Sequence, residues 1–261
     1  MFLKILKRSE FTRNVATLLT GTVIAQALPV LIYPVLTRLY KPEELGFYGF
    51  YMAVLGIFAI VANARFELAI VLPSERKEAI NVLAIALLFN FGVTLISFFA
   101  IFLFSDLLMS LFNSEGINLF PVFLLYLIPV SVFLSGINQA FNYWSSRNKT
   151  FKMNALSRIS QSGGNVVIAA GLGLLSFGPL GLVLGYITGQ FLSAIVLLGN
   201  FISIERIKNI KNYFLTEQLK QTFKKYKSFA FVNTPHALLS SFQDNGIVFL
   251  ITFFFSSTTL G

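Results

Sequence analysis

Three clusters of polar side chains stand out as candidates for chemistry in a sequence that is otherwise strongly apolar. Ser131, Ser135, Asn138 and Asn142 follow one another at steps of four, three and four, which on a helix gathers them within ~60° of arc. Such a stripe is either the wall of an aqueous path for a hydroxyl-rich substrate or hydrogen-bonding glue between helices. Asn154, Arg158, Gln161 and Asn165 repeat the arrangement one segment later. A guanidinium beside amides suits a phosphate or pyrophosphate, because its fork of donors matches the oxygens. Alternatively, Arg158 marks only a membrane boundary, its charge reaching for water. The third cluster is Asn63, Arg65 and Glu67. On a continuous helix the two-residue step turns Arg65 roughly 160° from its neighbours. The spacing therefore predicts no ion pair between Arg65 and Glu67, and leaves Arg65 to line a cavity or to pair with another helix.

Other chemistry finds no support. The chain has no cysteine and one histidine, His236, which excludes disulfides, zinc-thiolate sites, thiol nucleophiles and a histidine metal cluster. No nucleophile–base pair, P-loop or dinucleotide fingerprint is present. Neither enzymatic activity nor a cofactor is expected.

The elements that must position these residues are read from hydropathy. Of the 261 residues, 56% are hydrophobic and 12% charged, against roughly 45–50% and 25% in soluble domains. Thirty phenylalanines and a mean hydropathy of +0.75 would leave a soluble fold with too much exposed apolar surface. The expectation is an all-α, polytopic transmembrane helix bundle. A crossing needs ~20 apolar residues, and the predicted helix cores lie near 15–36, 45–68, 80–104, 119–143, 155–175, 180–202 and 229–255. Ser176 to Gly181, which contains Gly178-Pro179, is the turn that separates the fifth core from the sixth.

The net charge of +9 would suggest nucleic acid as a partner for a soluble protein, but here the placement of the cations decides. Seventeen of the twenty Lys and Arg fall on one set of alternate loops, two (Arg38 and Lys41) on the other, and Arg65 within a span. That asymmetry predicts a cytoplasmic N-terminus. A cleaved signal peptide is the rival reading of the basic start and Ala25-Gln26-Ala27, but the apolar run continues through Leu36. The Asn148-Lys149-Thr150 sequon would then lie on the cytoplasmic face, where it is not modified.

Shifting the chain by 215 positions lays Val35-Leu36-Thr37 and Leu45-Gly46 over Leu250-Ile251-Thr252 and Leu260-Gly261. With helix seven starting on the same side as helix one, this suggests parallel repeats. The expected organisation is a six-helix lobe over 1–204, a basic linker over 205–227 and the first helix of a second, truncated lobe over 228–261. The linker, with Ile207, Ile210, Tyr213, Phe214 and Leu219 as apolar members, reads as an amphipathic helix on the inner leaflet or as a solvated connector. Gly181, Gly185 and Gly189 form a doubled G-x-x-x-G, a packing signal, and Pro29 and Pro34 should kink helix one.

Several segments together carry a resemblance: Thr37-Arg38-Leu39-Tyr40-Lys41-Pro42-Glu43-Glu44-Leu45-Gly46, then Arg65-Phe66-Glu67-Leu68-Ala69-Ile70-Val71-Leu72-Pro73, then Phe141-Asn142-Tyr143-Trp144 followed by Arg147 and Lys149. The chain resembles the bacterial polysaccharide-repeat-unit flippases of the multidrug/oligosaccharidyl-lipid/polysaccharide exporter superfamily. The resemblance implies an inner-membrane protein that carries undecaprenyl-pyrophosphate-linked oligosaccharide to the periplasmic leaflet for O-antigen or capsule synthesis. It further implies two helical lobes around a cation-lined cavity, about twelve to fourteen helices where this sequence has seven, and a polysaccharide polymerase and chain-length machinery as partners. On that basis Arg65 and Arg158, with Arg38 at the outer rim, are expected to attract the pyrophosphate, and Asn138, Asn142, Gln161 and Asn165 to solvate the sugars. A drug/cation antiporter of the same superfamily would need a deep carboxylate, for which Asp244 is the candidate. A membrane enzyme of polysaccharide assembly would be expected to show a large outer loop or buried His and acidic residues.

Overall fold

A computed structural model describes residues 10–112, 121–205 and 216–254. Among these the chain is helical with no strand. Its helices are α1 (Glu10–Leu39), α2 (Pro42–Ala59), the short α3 (Phe66–Ala69), α4 (Arg76–Phe112), α5 (Ile128–Arg147), α6 (Phe151–Leu174), α7 (Pro179–Glu205), α8 (Thr216–Ser228) and α9 (Thr234–Phe254). Short connections make successive long helices antiparallel, so that Arg76, Arg147, Lys149, Lys152 and the lysines of α8 gather at one end of the bundle, called here the basic end. Arg38 and Lys41 mark the far end.

Four helical segments, Ala16–Leu39, Arg76–Ser110, Val122–Arg147 and Pro179–Glu205, are long and apolar enough to cross a membrane. Of the remaining long helices, α2 has 18 residues, about 27 Å at ~1.5 Å per residue, and α6 has 24 but is diluted by its polar face. Large apolar side chains point outward along the bundle, among them Leu31, Phe99 and Leu103 at 75%, 58% and 70% exposure. Lipid is the solvent that accepts such a surface, and the protein is a multi-pass membrane protein.

The core is divided along the helix axes. Phe47, Phe50, Tyr51, Leu124, Leu125, Ile128 and Val132 fill the far half. Phe66, Ile70, Ile80, Leu83, Phe141, Trp144, Leu197 and Tyr226 fill the basic half. The expected G-x-x-x-G packing is present at Gly185 and Gly189, which lie against Asn165 and Gln161 of α6, while Gly181 faces Tyr40. α1 is the least embedded of the four apolar spans, with 11% of its apolar window buried.

Two expected helices are interrupted. The predicted span 45–68 ends at Ala59, and residues 60–65 form turns in which Ala64 and Arg65 both take left-handed conformations, φ 46° and 61°. For residues with a Cβ that costs about 1–2 kcal/mol each, so the surroundings must impose it. Asn63, buried, donates from Nδ2 to the Gly136 carbonyl at 2.9 Å and pins the break to α5. The predicted span 119–143 opens with a 3₁₀ turn, Val122–Leu127, before α5 begins at Ile128 with Pro129 in its first turn. Proline fits there because the first helical N–H groups have no intrahelical partner. α1 runs through Pro29 and Pro34 as one helix.

The basic end is tied by guanidinium groups. Arg147 donates to the carbonyls of Ile70, Pro73, Ser74 and Glu75, closing the segment that follows α3 onto the end of α5. Arg76 reaches both oxygens of the buried Glu205 at 3.0 Å and the Ile204 carbonyl at 2.9 Å, joining α4 to α7. Arg147→Ala is expected to lower resistance to heat or denaturant in detergent by about 2 kcal/mol, since charged donors to several carbonyls are lost together. Arg147→Lys should recover only part of this, because an ammonium lacks the planar fork. An unchanged unfolding midpoint in Arg147→Ala would contradict the assignment.

α8 corrects the linker reading. Its apolar residues Leu219, Phe223 and Tyr226 pack into the basic-half core, so its apolar side faces protein rather than lipid. Lys220, Lys224 and Lys227 are exposed. Ile207, Ile210, Tyr213 and Phe214, and the overlay of Leu260-Gly261, lie outside the described residues. α8 continues through a π-helical turn, Phe229–Asn233, into α9, which packs on α2.

Candidate functional site

A cavity of about 390 Å³ opens among α5, α6 and α7 in the basic half of the bundle, and every residue lining it is polar. α5 contributes Ser135, Asn138, Gln139, Asn142 and Tyr143; α6 contributes Ser157, Arg158 and Gln161; α7 contributes Gln190 and Ser193. The volume falls within the ~300–1,000 Å³ of small-molecule sites.

The α5 stripe divides between interhelical packing and the lining of the cavity. Ser131 is spent on packing, its hydroxyl 2.7 Å from that of Tyr51. Asn138 lines the cavity and is tied to α7, for its Nδ2 donates to the backbone and side-chain oxygens of Gln190 at 2.8 and 2.6 Å, while its buried Oδ1 makes no hydrogen bond among the described residues. Gln190 in turn donates to the Tyr186 hydroxyl at 2.7 Å. Gln139 is anchored on the Ala59 carbonyl at 3.0 Å. The α5 side of the wall is thus tied by hydrogen bonds to α7 and to the end of α2, and held in place before any ligand arrives. Holding polar groups so in an apolar bundle is costly unless they are bonded to one another or to a solute.

Charge enters at the rim. Arg158 is exposed, on the second turn of α6, and no carboxylate among the described residues pairs with it. Gln161 stands one turn further in. Asn165 is not part of the wall: it packs against Gly185 and Gly189. Asn154 is also structural, donating to the Asn142 carbonyl and the Ser146 hydroxyl at the turn between α5 and α6.

Arg65 is placed by the break rather than by a helix face, and this overturns the expectation that it makes no pair with Glu67. With Arg65 left-handed, its Nη1 comes 3.6 Å from Oε1 of Glu67. The carboxylate is 2% exposed, and its second oxygen has no partner among the described residues. Arg65 remains one-quarter exposed and does not line the cavity. Arg38 is on the last turn of α1 at the far end, exposed, and is not brought to the cavity. The side chain of Asp244 lies outside the described residues.

Five lining residues escaped the sequence reading: Gln139, Tyr143, Ser157, Gln190 and Ser193. Gln190 and Ser193, three apart in an apolar span, were the available signal, overshadowed by the glycines beside them. Among the described residues no group of three His, Cys, Asp or Glu could hold a metal.

A multi-pass helical membrane protein with a cavity lined by polar residues and one arginine is the class that fold and site define. Residues 35–261 match the family described as polysaccharide biosynthesis protein, and the chain belongs to that family. No curated protein and no solved structure matches the chain.

Proposed function

We propose that the protein is a flippase of the bacterial inner membrane. Its cargo is an undecaprenyl-pyrophosphate-linked oligosaccharide repeat unit destined for O-antigen or capsule, and its N-terminus and basic end face the cytoplasm. The observation that carries this reading is the cavity. A cavity lined by polar residues inside an apolar bundle suits a hydroxyl-rich head group, and a guanidinium free of any described carboxylate stands among them. Family membership supports the pathway, and the concentration of cations at one end supports the orientation.

In this reading Arg158 receives a phosphate through its fork of donors, and Arg65, outside the lining and paired with Glu67, adds what positive potential that pair leaves. Gln161, Asn142 and Asn138 exchange hydrogen bonds with sugar hydroxyls, while the polyprenyl chain stays in lipid. Translocation follows by alternating access against a second lobe, with polymerase and chain-length machinery receiving the product. Arg38 would meet the cargo only at the outer rim.

The test is surface polysaccharide in the natural host. Arg158→Ala and Arg65→Ala are each expected to reduce it at least tenfold at normal protein level, with lipid-linked repeat units accumulating inside, whereas Arg158→Lys retains part. Full polymer in the Arg65→Ala, Arg158→Ala double variant would refute the assignment.

A further inference from the structure

The break before Arg65 is covered from outside the cavity. Phe66, fully buried, follows Arg65 directly, and its ring lies against two others: Phe89 of α4, centroids 5.4 Å apart with planes 16° from parallel, and Phe223 of α8, at 5.8 Å and 25°. Phe89 and Phe223 complete the triangle at 6.2 Å. The N–H groups across the break make only short-range bonds, Ala64 to Val61, Phe66 to Asn63 and Leu68 to Arg65, and its ties to α5, from Asn63 and to the Ala59 carbonyl, both lie before the left-handed pair. Two adjacent left-handed residues relax toward helix unless something outside them fixes the next side chain.

We propose that Phe223 is a positioning residue for Arg65: by closing the aromatic triangle over Phe66 it holds the break, so that α8 sets where the Arg65 guanidinium stands beside the cavity. Phe89 belongs to α4, which is fixed independently through Arg76 and Glu205. Phe223 instead belongs to a helix continuous with α9 through the π-helical turn. The triangle is therefore a contact through which a displacement of α8 reaches the backbone that places Arg65. Rings nearly parallel and 5–6 Å apart are offset stacks with a preferred geometry, so they transmit position as well as fill space. The role for cargo rests on the flippase reading; the control of the break does not.

Amide hydrogen exchange on the whole protein in detergent separates the two. Phe223→Ala is expected to speed exchange at least tenfold at Ala64, Phe66 and Leu68 with little change in α6 and α7, and Phe223→Tyr to restore protection. Met109→Ala, in the far-half core, serves as a general destabilisation and should leave those three amides as they were. Calorimetric titration with inorganic pyrophosphate then reads the cavity, where Phe223→Ala is expected to weaken binding about tenfold and Phe223→Tyr to recover it. Unchanged exchange across 64–68 in Phe223→Ala, or equal acceleration in Met109→Ala, overturns the proposal. If exchange responds as expected but the unaltered protein binds no pyrophosphate, the positioning role stands and the flippase reading loses its support.

Discussion

Gly189→Leu is expected to collapse the α6–α7 pair and with it the protein, lowering stability by about 3 kcal/mol or more. A Cβ built at Gly189 stands 2.4 Å from the Gln161 carbonyl oxygen and 3.2 Å from the Asn165 backbone nitrogen. These are backbone atoms of the facing helix, which no rotamer change can move aside. The helices must part, and the wall that Gln161 and Gln190 share parts with them. Gly199→Leu is the matched control: the same helix and the same added volume, with nothing within 4 Å of the new Cβ. Thermal unfolding in detergent should leave Gly199→Leu near the parent and lower Gly189→Leu by many degrees, and equal midpoints would contradict the packing described.

The second large effect is expected to separate function from stability. Asn138→Leu combined with Gln190→Met and Tyr186→Phe replaces all three members of a chain of buried polar contacts with apolar groups of similar size. Such joint replacement is nearly neutral or stabilising, all the more because Asn138 Oδ1 has no partner to lose. Yet it removes two of the ten residues in the polar wall. Surface polysaccharide should fall at least tenfold while the unfolding midpoint stays within a few degrees of the parent or rises. A variant that transported normally would show that this part of the wall is packing and no more.

Much of this arrangement was legible because polar groups within apolar spans are conspicuous. The periodicity of Ser131, Ser135, Asn138 and Asn142 located one wall, and Arg158 with Gln161 located the other. Ser176 to Gly181 announced its turn with glycine and proline, and Ser176 and Gly178 indeed adopt left-handed conformations. The break at 60–65 announced nothing. Val-Ala-Asn-Ala-Arg contains no glycine or proline and reads as helix by propensity; it is imposed by the Asn63 bond to α5 and the burial of Phe66, which are tertiary. Because the helix was assumed continuous, the Arg65–Glu67 pair was missed as well. α8 illustrates a different limit: an amphipathic period identifies an apolar face but cannot tell lipid from protein as its partner.

The slight burial of α1 bears on how the protein is made. Its attachments are to α6 and its neighbours: Gly21 against Ala155, and the Tyr40 hydroxyl donating to the Ala169 carbonyl at 2.6 Å. Burial, and behind it the Glu44 carboxylate, push the Tyr40 phenol up to about 12, so it remains a donor at any cellular pH. But Ala155 and Ala169 are translated more than a hundred residues after α1. At ~5–20 residues per second that leaves α1 in the bilayer for roughly 5–25 s before its partner exists. Its apolar span is therefore an early arrival that must stand alone in lipid until the fifth crossing, α6, has been made.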